Sequence, residues 1–198
     1  MQQKAARDSA KPRRISRAAF STARLILRPT EPADADRAYD IQSNWRVTQM
    51  LRMASFPPNP AEMEQWFADH AREWNAGEAY RFAVLCDDRM IGVVDIDEIG
   101  DGEGELGYWL EEQAWSQGYA SEAARAAIDF AFDDVGLRAL RSGHADDNEA
   151  SGRILLKLGF VAQDVVEIPS RSRGGSIRQR RYRLINRVAS DARTFPAI

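Results

Sequence analysis

The residues with the clearest chemical promise lie in one stretch, Glu105-Leu-Gly-Tyr108-Trp-Leu110-Glu-Glu-Gln-Ala-Trp115-Ser-Gln-Gly118-Tyr-Ala120-Ser-Glu-Ala-Ala124. A strand-like run passes through a short glycine-bearing loop straight into a helix-like one. At such a junction the first backbone N–H groups of the helix have no partner inside it, and the helix dipole adds positive charge. The loop therefore suits an anion, most naturally a phosphate. Gly118 lets the ligand approach the main chain with no Cβ in the way, although a glycine there can equally serve the turn alone. Downstream, Asn148-Glu-Ala-Ser151 opens a second helix with a good N-cap, and Gly159-Phe160 follow eleven and twelve residues after Asn148.

These segments need elements to hold them. Arg24 to Arg28 reads as a strand stopped by Pro29. Residues 31–42 and 60–74 read as helices, the second with Met63, Trp66, Phe67 and Ala71 at helical spacing. Residues 45–59 between them are irregular. Residues 80–86 and 90–96 form strands around Asp87-Asp88-Arg89, and residues 105–110 form another after Gly100-Asp-Gly-Glu-Gly104. The period then changes: Ala120, Ala123, Ala124, Ala127, Ile128, Ala131 and Phe132 give one apolar helix face, ended by Gly136. Residues 137–145 read as a strand, the Asn148 helix closes at Gly159, and 160–168 with 177–185 form a closing hairpin. Strand, helix, strand over 105–145 implies a right-handed crossover and a parallel pair inside an otherwise antiparallel sheet. The fold class is α+β with a mixed sheet.

Composition narrows the function classes. The 198 residues suit one domain, and 44% hydrophobic residues with 18 aromatics exclude a wholly disordered chain. One cysteine excludes a disulfide framework and a thiolate zinc cluster. The longest apolar run is far short of the roughly 18 residues of a membrane-spanning helix, and the start lacks the apolar core of a secretory signal, so a soluble cytoplasmic protein is expected. The net charge of −3 is split: residues 1–19 carry six basic side chains against Asp8, a net of +5, which leaves −8 for the rest. The head reads as a solvated tail, with an anionic-surface or nucleic-acid arm as the sharper alternative. Cys86 reads as a small buried hydrophobe, His70 has no companion for a metal, and Arg171, Arg173 and Arg178 to Arg183 read as solvated charges of the closing hairpin.

Together the loop and the Asn148 segment resemble the GNAT superfamily of acetyl-CoA-dependent N-acetyltransferases. The superfamily's loop, Arg/Gln-x-x-Gly-x-Gly/Ala, is matched by Trp115-Ser-Gln-Gly118-Tyr-Ala120. Its later motif of Asn, a small residue, often Tyr, and Gly-Phe is matched by Asn148, Ser151, Leu155, Gly159 and Phe160. Trp115 and Leu155 depart from the common pattern. With Gly107-Tyr-Trp-Leu110 and the Arg24-to-Pro29 start, those departures resemble the ribosomal-protein-alanine N-acetyltransferase-like branch, over residues 22–187.

The resemblance implies a seven-stranded sheet, mostly antiparallel, with a splayed parallel pair and about four flanking helices. It implies an acetyltransferase domain at 21–188 between a basic, disordered tail (1–20) and a C-terminal tail (189–198). Acetyl-CoA would lie in the splay as acetyl donor, with Tyr108 to Leu110 hydrogen-bonding the pantetheine arm through their backbone. Gln117, Gly118, Tyr119, Ala120 and Ser121 would hold the pyrophosphate, and Asn148 would reach the arm or order the loop. An N–H of the splayed strand would stabilise the oxyanion as an amine attacks the thioester. With leucine at 155, Ser151 is the candidate to contact the departing sulfur, and it could equally be a packing residue. Glu105 is the first choice of base, with Asp95, Glu167 and His144 in reserve. No metal is required. The acceptor is a primary amine, on a protein N-terminus or a small molecule; nucleic acid and membrane are not expected partners, and the chain is a monomer or homodimer. A non-catalytic acyl-CoA-binding or regulatory module of the same fold is the alternative of another class.

Overall fold

The computed structural model describes residues 15–187. Eight strands form one sheet in the order β1-β2-β3-β4-β5-β6-β8-β7, with β1 Phe20–Ser21, β2 Ile26–Pro29, β3 Tyr80–Cys86, β4 Arg89–Gly100, β5 Glu103–Leu110, β6 Ala139–Ala145, β7 Val161–Ser170 and β8 Gly175–Ile185. Among the described residues five α-helices flank it: α1 Ala35–Gln42, α2 Trp45–Thr48, α3 Pro60–Ala76, α4 Tyr119–Asp129 and α5 Glu149–Lys157. Every strand pair is antiparallel except β5–β6. The sheet thus has the expected mixed topology, with one strand more than expected, the two-residue β1.

Local chemistry accounts for the helices. Asn59 caps α3 by accepting from the N–H groups of Ala61 and Glu62, Pro60 fills the first helical position, and Gly77 ends the helix at φ +71°. The face of α3 carrying Met63, Phe67, His70 and Trp74 is buried. In α4 the buried face is Ala123, Ala124, Ala127 and Ile128. The helix widens to a π-helical turn over Phe130–Val135, which Gly136 ends at φ +79°. Irregular structure was expected over 45–59, but Asn44 accepts a hydrogen bond from the Arg46 N–H and starts the one-turn α2 there.

The two sheet faces bury separate cores, because successive strand side chains point to opposite sides. Phe82, Val84, Val94, Ile96 and Leu106 pack with the alanines of α4 and with Leu155. Ala83, Met90 and Val93 pack with Ala35, Ala38, Met63 and Phe67 of α1 and α3. The assignment of 1–20 as a disordered tail needs correction where it meets the described residues. Ile15 and Phe20 pack on the first core, the Trp74 indole N–H donates to the Ile15 carbonyl at 3.2 Å, and Arg17 lies over the Trp74 ring. Apolar burial and an indole partner order these residues; positions 1–14 and 188–198 lie outside the described residues.

Candidate active site

The β5–β6 ladder is only three residues long, pairing Glu103, Gly104 and Glu105 with Ala139, Leu140 and Arg141. Beyond it the strands part while β5 stays paired with β4 as far as Leu110. The Ser142 hydroxyl donates to the Leu106 carbonyl at 2.8 Å, closing the fork. Past that point one edge of β5 faces a cavity of about 400 Å³ whose walls include Tyr108, Leu110, Ala120, Asn148, Ser151 and Ile154. Trp115 also lines it, and its indole N–H donates to the Leu110 carbonyl at 2.9 Å. Trp115 thus ties the loop to the strand, and the Leu110 carbonyl is already engaged.

Of the loop residues expected to hold the pyrophosphate only Ala120 lines this cavity; Gln117, Gly118, Tyr119 and Ser121 are not among its walls. Gly118 is the N-cap of α4, at φ +83° and with no side-chain cap. The first N–H groups of α4 are therefore left for another acceptor. Gln117 turns its amide to the Gln113 carbonyl at 2.7 Å, so it contributes main chain to the loop. Tyr119, Ala120 and Ser121 form the first turn of α4, and Tyr119 and Ala120 rest against the core. Arg24, just before β2, clamps this turn. Its guanidinium donates to the Gln117 carbonyl at 2.9 Å and to Glu122 at 2.8 Å, and it lies 4.5 Å from the centre of the Tyr119 ring. The Thr22 hydroxyl donates to the same Glu122 carboxylate.

On the opposite wall, Asn148 caps α5 by accepting from the Ser151 N–H at 3.2 Å. The Ser151 hydroxyl is 2.8 Å from the Tyr108 hydroxyl. Burial pushes the Tyr108 phenol up to about 12, against the opposing hydrogen bond with Ser151. Leu155 is fully buried in the core, and the cavity side of α5 is presented by Glu149, Ala150, Ser151 and Ile154.

A second cavity, of about 560 Å³, adjoins the first and shares Met50, Leu51, Tyr108, Trp109, Gly143 and His144 with it. Its apolar wall comes from α3 and the segment after α2, including Met53, Met63 and Trp66, while Asp95, Asp97, Glu105 and Glu62 add four carboxylates, the last paired with Arg171, and Arg52 adds a cation. Burial raises Asp95 to about 7, helped by the charges of Asp97 and Glu105 and opposed by Arg81. Burial also raises Asp97 and Glu105. Gly107, opposite Asp95 across the β4–β5 ladder, makes room for its carboxylate: a Cβ there would collide with Asp95 Oδ1.

The reserve bases separate clearly. Asp95 lines this second cavity. His144 does too, but Nδ1 lies 2.7 Å from the Ala145 carbonyl, which requires a proton on Nδ1, and Nε2 then accepts from the Tyr182 hydroxyl at 3.1 Å. Both ring nitrogens are thus engaged, which suits a structural residue. Glu167 is exposed on β7 and lines neither cavity. His70 is buried, packs edge-on against Trp66 and bonds the Thr30 hydroxyl. Among the described residues no group of three His, Cys, Asp or Glu side chains is placed to hold a metal ion, and no helix is long and apolar enough to cross a membrane.

Three participants escaped the sequence: the Tyr108 hydroxyl, Arg24 and Asp97. Asp97 had a signal, since it lies two residues from Asp95 on one strand and so on the same face. Arg24 and Tyr108 had none, because their partners lie 93 and 43 residues away.

A sheet opened between two parallel strands, with an uncapped helix N-terminus beside the opening, defines an acyltransferase architecture of the N-acetyltransferase type. The acetyltransferase (GNAT) domain model matches residues 24–161, and the chain belongs to that family as a GNAT-type N-acetyltransferase. It is 28% identical over 172 residues to the uncharacterized N-acetyltransferase p20 of Bacillus licheniformis, covering 84% of this chain and 95% of the relative. It is 32% identical over 119 residues to the ribosomal-protein-serine acetyltransferase of Escherichia coli K12, covering 59% and 66%. Among solved structures, RimL, a ribosomal L7/L12 alpha-N-protein acetyltransferase in complex with coenzyme A, superposes with a TM-score of 0.77 at 18% identity over 85% of this chain and 98% of its own, a likeness of fold.

Proposed function

We propose that the protein transfers the acetyl group of acetyl-CoA to a primary amine, on a protein N-terminus or a small molecule, by direct attack in a ternary complex. The observation that carries this reading is the pair of adjoining cavities. One is lined by Ala120 of the first turn of α4, by Tyr108 to Leu110 of β5 and by the start of α5; the other joins an apolar wall to Asp95, Asp97, Glu105 and Glu62, the last paired with Arg171. The first suits a phosphate-bearing thioester and the second an amine that arrives as a cation.

The main chain of Gln117 to Ser121 binds the pyrophosphate, aided by the helix dipole. The free edge of β5 at Tyr108 and Trp109 holds the pantetheine arm and supplies an N–H to the oxyanion as the amine attacks. Asn148 orders the α5 end of the cleft. Glu105 takes the surplus amine proton, directly or through water; its raised pKa brings it closer to working pH as a base. The C–S electron pair leaves on sulfur, where the Ser151 hydroxyl donates a hydrogen bond. Coenzyme A supplies the sulfur, so Cys86 has no part. The names of the ribosomal-protein acetyltransferases among its relatives favour a protein N-terminus as acceptor; such an acceptor places the reaction in the cytoplasm.

The test is thiol release from acetyl-CoA with a panel of amines and N-terminal peptides, followed by mass analysis of the product. Acceptor-dependent release and an acetylated amine are expected. Tight acetyl-CoA binding without turnover on any acceptor would replace this reading with a non-catalytic acyl-CoA-binding module.

A further inference from the structure

The hydroxyl pair across the first cavity carries an inference that rests on the transferase reading and goes beyond it. Tyr108 belongs to β5 and Ser151 to the first turn of α5, the two elements that wall the cleft. Their hydroxyl oxygens lie 2.8 Å apart, and the Tyr108 hydroxyl is also 3.3 Å from the Ser151 carbonyl. One proton lies between the two hydroxyls, so one group donates and the other accepts. A phenol is a far stronger donor than an aliphatic alcohol, and burial keeps the Tyr108 proton in place. The shorter of its two contacts is to Oγ. With Tyr108 donating there, the Ser151 proton is free to turn toward the cavity that both residues line. An oxygen that accepts a hydrogen bond also becomes a better donor.

We propose that Tyr108 is the positioning residue for Ser151: its hydroxyl fixes and polarises the serine so that the serine proton points at the departing sulfur. No proton passes through Tyr108. The C–N bond forms, the C–S pair moves to sulfur, the amine's surplus proton leaves through Glu105, and the thiolate keeps the Ser151 hydrogen bond until water protonates it.

The test compares wild type, Tyr108→Phe, Ser151→Ala and the double variant for kcat, acetyl-CoA affinity and melting temperature. Phenylalanine keeps the ring packing and removes only the hydroxyl. Tyr108→Phe is expected to lower kcat about tenfold, the rate equivalent of one ordinary hydrogen bond, with unchanged acetyl-CoA affinity. The double variant should be no slower than Ser151→Ala alone, because the tyrosine acts only through the serine. A wild-type rate for Tyr108→Phe, losses that multiply in the double variant, or a rate loss that follows the folded fraction would each overturn the proposal. Absence of acetyl transfer by the wild type on every acceptor would instead overturn the transferase reading, and this proposal with it.

Discussion

Glu105 and Asp95 face one cavity, yet they call for different experiments. If Glu105 accepts the amine proton, activity falls as pH drops through its raised pKa, at a higher pH than the usual 4.5 of a glutamate. Glu105→Gln should lower kcat by about 100-fold and flatten the acidic limb of the pH–rate profile; an unchanged limb would assign the base elsewhere. Asp95 bears on stability. A carboxyl raised to about 7 from 3.8 costs nothing below its unfolded pKa and destabilises the native state progressively as pH rises to 7. Asp95→Asn should therefore raise the melting temperature, and by more at pH 8 than at pH 5, as followed by circular dichroism. At this level the sequence was readable for Gly118, Asn148 and Ser151, whose meaning is local: a positive φ, a cap, a first-turn position. It was silent on the Tyr108 hydroxyl, because strand alternation tells which side of a sheet a residue faces and not which helix will meet it.

The loop-and-helix unit is held from outside itself. Arg24 joins the segment before β2 to the Gln117 carbonyl, to Glu122 and to the Tyr119 ring. An ion pair this exposed adds little to global stability, at most about 1 kcal/mol, but it fixes the turn whose N–H groups are proposed to meet the phosphates. Arg24→Ala is thus expected to weaken acetyl-CoA binding severalfold in calorimetry while shifting the melting temperature by only a few degrees. Equal affinity would show that the turn holds its shape unaided. Elements with a run of regular alternation or helical spacing followed from period and punctuation: the hairpins, the alanine-faced α4, the capped α5 and the parallel pair. The two-residue β1, the one-turn α2 and the π-turn after α4 did not. A periodicity needs more than one turn or two pleats to show, and a π-turn keeps the composition of a helix. Nor was the three-residue length of the β5–β6 ladder visible, since nothing in either strand marks where a neighbour departs.

For the molecule as a whole, the charge division is less sharp than the +5 head and −8 remainder suggest, because Ile15 and Arg17 of that head, with Phe20 just after it, belong to the packed structure. Phe20 meets Phe82 edge-on at 5.1 Å and stacks on Phe130 at 6.2 Å. Phe20→Ala should destabilise the protein by about 2 kcal/mol, somewhat less than a fully buried phenylalanine would. The corresponding fall in melting temperature, roughly 5 °C for a domain of this size, can be read by calorimetry. A neutral outcome would make β1 a passive attachment. Composition could not foresee this, because six basic side chains dominate the average of residues 1–19 while Ile15, and Phe20 just beyond them, decide the packing.

The alanine face of α4 has a mechanical consequence. Ala123, Ala124 and Ala127 present almost no side chain to the sheet, so the helix lies on the strands with little material to compress between them. Its height is set as a shim sets a bearing. Ala127 lies about 12 Å along the axis from Tyr119, and a helix moves as a rod over that length. A larger side chain in this seat would lift the helix and with it the turn proposed to meet the phosphates. If that proposal holds, cofactor affinity becomes a gauge of core tolerance, readable at a site that the altered residue never touches.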